Sequence, residues 1–186
     1  SKGWPVTAEV TPHHLLLTEE LARSYDPRFK VNPPLRSASD VEALRDGLAD
    51  GTIDVVATDH APHPAEAKDC EWSTAAFGML GLETALSIVT HTMVESGRLD
   101  WGDVADRMSS APARIGRLGG HGQALEVGAA ASLVLLDPTT RRTVLAQDSL
   151  SRSRNTPYQG LELPGTVMLT LLRGRATYAA MGEGIA

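Results

Sequence analysis

The sequence predicts an α/β fold over its first two-thirds and a β-rich module after it. Three observations lead there. A helical apolar period ending at Gly51 runs directly into a short, β-rich stretch, "TIDVVATDH", of the kind buried on both faces of a parallel sheet. More helical patterns follow, and alternation of helices with buried strands argues for layered α/β architecture. After "RLGGHGQ" the composition changes: from residue 125 onward, short β-rich runs are separated by Gly, Pro and Asp turns, with no convincing helix.

In chain order, "SKGWPVTAEV" reads as the tail of one element, a Gly-Trp-Pro turn and a strand over 5–10 closed by Thr11-Pro12, an abrupt start that suggests a piece of a longer protein. "LTEELARSY" predicts a short helix with Thr18 as N-cap. Residues 26–36, "DPRFKVNPPLR", hold three prolines and no period, which predicts a loop. Ser39 and Glu42 have capping-box spacing, Val41, Leu44 and Leu48 share a face, and Gly51 supplies the stop. Beyond the strand, Leu82, Ala85, Leu86, Val89 and Met93 predict a helix ending at Gly97. One more helix is expected from Asp100 and another after Ser110, with Pro112 in its first turn. The closing runs "ALEVGAAASLVLLD", "RTVLA" and "GTVMLTLLRGRATYAA" are read as strands of a module too short to close a sandwich by itself.

The bulk numbers narrow the partners. At 186 residues the chain holds one or two domains. Seventeen Lys and Arg against 23 Asp and Glu give a net charge of -6, which offers no footprint for nucleic acid or an anionic membrane. A small-molecule partner is expected. The single cysteine, Cys70, has no disulfide or CxxC partner and fits a cytoplasmic protein. No apolar run approaches membrane-spanning length.

Chemistry concentrates in "VVATDHAPHP", residues 55–64. A side chain just past the C-terminal end of a buried parallel strand projects into the mouth where ligands bind. Asp59 is placed that way, with His60 and His63 following. A carboxylate there can bind a metal, shuttle a proton, or cap the next turn.

The pattern Ala57-Thr58-Asp59-x-Ala61-Pro62-His63, followed after four residues by Lys68, resembles the second signature of dihydroorotases in the amidohydrolase superfamily. "EVTPHHLLLTEE", "KVNPPLRSASDVEAL" and "FGMLGLETAL" are similar to neighbouring blocks of the class I enzymes, in the same order, and "NTPYQGLELPGTVMLTLLRGRATY" to their closing β segment. The resemblance covers nearly the whole chain and corresponds to the last two-fifths or so of such an enzyme. It implies that residues 1–118 are the C-terminal part of a (β/α)8 TIM-like barrel, and 119–186 strands of a small β-sandwich domain completed by the missing N-terminal part.

It also implies roles. Asp59 is similar to the aspartate that contacts zinc and shuttles a proton while a metal-held hydroxide attacks the cyclic amide carbonyl of dihydroorotate; the reverse reaction closes the ring of N-carbamoyl-L-aspartate in pyrimidine synthesis. His63 matches the histidine that binds the substrate carboxylate. Asn32 matches a loop residue that hydrogen-bonds the pyrimidine ring, and Phe77 with Gly78 a pair whose main chain meets it. His60 is expected to be structural or to support the site from behind, and His13 and His14 to shape a strand rather than bind metal. Arg36 is expected to pair with acidic neighbours, and Lys68 to lie in a mobile loop over the site.

The family's cofactor is one or two zinc ions. Its site needs a His-x-His pair, a bridging carboxylated lysine or aspartate, and two further histidines, none of which lies in these residues; Asp59 alone is one ligand. Related expectations are a hydantoinase or allantoinase, and a catalytically dead scaffold for a transcarbamoylase. A homodimer or an aspartate transcarbamoylase complex are the assemblies the resemblance leaves open.

Overall fold

The computed structural model describes residues 4–180. Strand β1 (Glu9–Val10) and strand β2 (Val55–Val56) form a two-stranded parallel sheet in which Glu9 faces Val55 and Val10 faces Val56. Both are shorter than the β-rich runs around them. Between them lie helix α1 (Pro12–Leu16), two 3₁₀ turns (Glu19–Ser24 and Pro27–Phe29) and helix α2 (Ala38–Asp50).

Local chemistry explains the boundaries and corrects three expectations. The capping box of α2 is Ser37 with Asp40, two residues before the predicted pair: the Ser37 hydroxyl accepts from the Asp40 N–H at 3.3 Å and the Asp40 carboxylate accepts from the Ser37 N–H at 3.2 Å. Aspartate at the third helical position does here what glutamate usually does, and Glu42 instead pairs with Arg45 and Arg98. Gly51 ends the helix in the left-handed region, φ 84°. The predicted Thr18 helix is a 3₁₀ turn with no buried residue and no side-chain cap bond, because nothing there supplies an apolar face to bury. Leu82 lies outside its predicted helix and is exposed; α3 (Ala85–Val89) continues into a π-helical segment over Thr90–Val94.

The two helices expected after Asp100 are one helical run: α4 (Trp101–Ala105), a π-helical segment (Asp106–Ser110) and α5 (Ala111–Ile115). Asp100 and Asp103 form its capping box, whereas Ser110 has helical backbone (φ −68°, ψ −46°) and begins nothing. Pro112 lacks an N–H to bond back to the preceding turn, and the widened π segment just before it lets the run continue.

Strands β3 (Leu133–Thr143), β4 (Glu162–Leu172) and β5 (Arg175–Ala179) form an antiparallel sheet in that order. Runs expected as separate strands join in β3 across register shifts at Leu135/Leu136 and Asp137/Arg141. One core cluster surrounds the parallel pair, with Val10, Leu48, Val56, Val89 and Met93. A second joins Val31, Leu35, Met79 and Ile88 to Tyr158 and Leu163 of the closing segment. That second cluster anchors the C-terminal chain against the loops that carry the candidate site.

Candidate active site

Asp59 stands three residues beyond β2, its side chain 46% exposed and its backbone left-handed at φ 46°. Aspartate tolerates that region better than most residues, but a non-glycine there is uncommon and points to a constrained loop. Facing it, His13 of α1 is fully buried, with Nε2 4.0 Å from Asp59 Oδ2. Burial first, then the neighbouring His14, pulls His13 down to about 3, so a neutral imidazole faces the carboxylate and the contact is not an ion pair. Neither His13 ring nitrogen has a hydrogen-bond partner among the described residues. His14 is fully used: Nδ1 meets the Thr11 hydroxyl at 2.7 Å, and Nε2 approaches the carbonyls of Pro33 and Pro34 at 3.1 and 3.2 Å. It braces the proline loop from below.

The loop after Asp59 is held at several points. His60 accepts the N–H groups of Gly81 and Leu82 on Nδ1, both at 3.2 Å, in keeping with a structural role. The Ala61 N–H donates to the Met79 carbonyl at 2.9 Å. His63 places Nε2 2.8 Å from the Phe77 carbonyl. A carbonyl only accepts, so this contact puts the ring proton on Nε2 and turns Nδ1 to other partners.

His63, Phe77 and Gly78 therefore meet. Gly78 is buried at φ 119°, and its N–H donates to the Lys30 carbonyl at 2.9 Å. A Cβ there would lie 2.5 Å from Ala61 Cβ and 3.2 Å from His63 Nε2. Only glycine lets the two loops approach this closely. Phe77 is 58% exposed, with the Lys30 ammonium 4.6 Å from its ring centroid. Asn32 is exposed on the proline loop, two residues past Lys30, and makes no side-chain hydrogen bond to the described residues. Arg36 pairs with Asp40 at 3.4 Å, away from this cluster.

Two residues matter here that sequence reasoning misplaced or missed. Lys68 is not in a mobile loop: it is buried, and its ammonium donates to the carbonyls of Pro27, Lys30 and Ala76 at 2.9, 3.3 and 2.7 Å. Carbonyl cages replace the water that a buried ammonium loses, and this one ties the proline loop to the Phe77 loop. Asn155 is buried and bonds to three main-chain groups of the site loops. Its contacts span more than 70 residues, and no local pattern announces them.

Among the described residues, no three His, Cys, Asp or Glu side chains gather to hold a metal ion. Asp59 supplies one carboxylate, and by themselves these residues do not make a zinc site. What the arrangement offers is a half-exposed carboxylate, an oriented imidazole and close main-chain groups at the end of a parallel strand.

With this arrangement on a mixed α/β frame that has a parallel sheet and a separate antiparallel one, the chain belongs to the Amidohydrolase family, whose model matches residues 7–177. Within it the chain is closely related to dihydroorotases. It is 64% identical over 177 residues to the dihydroorotase of Streptomyces coelicolor, covering 95% of this chain and 41% of that one. It is 55% identical over 176 residues to that of Mycobacterium tuberculosis, again covering 95% and 41%. Among solved structures, the L-hydantoinase of Arthrobacter aurescens superposes with a TM-score of 0.89 at 34% identity, covering 100% of this chain and 42% of that one. A D-hydantoinase from Thermus sp. gives 0.86 at 27%, covering 96% and 40%. The chain spans about two-fifths of the length of these relatives.

Proposed function

We propose that the chain is the C-terminal portion of a zinc-dependent dihydroorotase interconverting N-carbamoyl-L-aspartate and dihydroorotate in de novo pyrimidine synthesis, in the cytoplasm. In this reading residues 1–118 belong to a (β/α)8 barrel and 119–186 to a small β-sandwich domain, each completed by the N-terminal part of the same protein. The zinc ligands other than Asp59 come from that part. A homodimer or a transcarbamoylase complex is the assembly proposed with it.

The observation that carries the reading is the placement of Asp59: a half-exposed carboxylate past the end of a buried parallel strand, within one loop of an imidazole whose orientation a main-chain carbonyl fixes. Hydrolysis of a cyclic amide needs a group that takes a proton from the attacking water and returns it to the departing ring nitrogen. Asp59 is that group. His63, its ring held at Nε2 by the Phe77 carbonyl, meets the substrate carboxylate. Asn32 and the main chain of Phe77 and Gly78 contact the ring.

A second reading, a hydantoinase, is favoured by the superposition on the Arthrobacter aurescens enzyme. The two differ in substrate: dihydroorotate carries a ring carboxylate for His63, and unsubstituted hydantoin carries none. Turnover of the full-length protein on dihydroorotate, hydantoin and allantoin separates them. Dihydroorotate is expected to be preferred by at least about tenfold in kcat/KM, about 1.4 kcal/mol; preference for hydantoin would reject the dihydroorotase.

A further inference from the structure

We infer that Asn155 is a positioning residue that sets the substrate-facing loops from the closing segment; this rests on the dihydroorotase reading of the site. Its side-chain amide is buried between two of those loops. Oδ1 accepts the His63 N–H at 3.2 Å, while Nδ2 donates to the Ala61 carbonyl at 2.9 Å and to the Gly78 carbonyl at 3.4 Å. Its own carbonyl accepts the Leu80 N–H at 3.1 Å. One residue thus bonds to both sides of the His63–Gly78 approach.

The chemistry required is specific. The position needs one acceptor and two donors in a plane at the end of a short stem, which is the asparagine amide and no other side chain of that length. A carboxylate keeps the acceptor but turns oxygen toward the carbonyls of Ala61 and Gly78. Asn155 is 5% exposed, so water does not readily replace the lost bonds. Three residues on, Tyr158 is fully buried in the second core cluster, which anchors the segment that carries Asn155. Loosening the amide moves the His63 main chain and the Gly78 turn together. It leaves Asp59, which Asn155 does not touch.

The effect should therefore fall on binding. In the full-length protein, Asn155→Asp and Asn155→Ala are expected to raise KM for dihydroorotate at least about tenfold while kcat changes much less. In a His63→Ala background the same substitutions should raise KM by a smaller factor, since one of the two contacts they position is gone. An unchanged KM in a folded variant, or an undiminished effect beside His63→Ala, would overturn the role. Amide exchange of His63 in the unaltered protein gives a reading that needs neither variant nor substrate: protection is expected, and exchange at the rate of an open loop would overturn the contact itself. The underlying assignment fails separately, if the unaltered protein does not turn over dihydroorotate.

Discussion

Asp59 holds its carboxylate on a backbone at φ 46°, a conformation that costs a non-glycine residue about 1–3 kcal/mol unless the side chain bonds locally. Asparagine tolerates the same region, so Asp59→Asn keeps the loop and removes the negative charge that would accept a proton and contact the metal. In the full-length protein turnover should fall at least about 100-fold with the melting temperature little changed; near-unaltered turnover would show that the proton moves elsewhere. Gly78 presents the opposite case, because shape rather than charge is at stake. In Gly78→Ala the new methyl carbon would meet Ala61 Cβ at 2.5 Å on a backbone at φ 119°. Urea denaturation is expected to show a loss of about 1–3 kcal/mol, and kcat/KM should fall with it as the His63 loop is pushed away. His13 shows why residue types alone mislead: a histidine pair looks like metal chemistry, yet His14 is spent on two proline carbonyls and His13 is a buried neutral ring.

Among the elements, the loops rather than the helices decide the site's geometry, and buried polar groups decide the loops. Lys68 collects carbonyls from three places, and burial, followed by the Lys30 ammonium, pulls its proton affinity down to about 8 from 10.5. The folded chain thus releases this proton before the unfolded chain does. Between about pH 8 and 10.5 the unfolded state binds more protons, so the residue's contribution to stability rises with pH across that window and is lower below it. The stability of the unaltered protein relative to Lys68→Met should accordingly rise from pH 8 to 10.5. A difference flat across that range in denaturation curves would show that the ammonium is not perturbed. The boundaries of α2 and of the Trp101–Ile115 run illustrate how far element reading reaches. Helical period and Gly51 marked the first, but Ser37 with Asp40, not Ser39 with Glu42, forms its cap. Pro112 suggested a new start where a π segment instead carries the helix through.

For the whole molecule, the decisive fact is proportion: two-fifths of the length of its relatives, with one half-exposed carboxylate, Asp59, past the end of its parallel strand. The 186-residue chain alone is expected neither to bind zinc tightly nor to turn over substrate, whereas chelating zinc from the full-length protein should abolish turnover. A tight stoichiometric zinc complex of the chain in a titration would contradict this. Residues 55–64 and the blocks around them carried the family in their order and spacing, because a strand followed by Asp-x-Ala-Pro-His is a local pattern. So were the α/β alternation, the β-rich ending and most helix positions, each fixed by side-chain period and by Gly or Pro within a few residues. The sequence by itself thus determined the family and the position of Asp59 past its strand. Tertiary structure alone decided that Lys68 is a buried tie, that Asn155 clasps the His63 and Gly78 loops, and that His13 faces Asp59. Those contacts join residues 8 to 94 positions apart, brought together by the folded core, which no local spacing encodes.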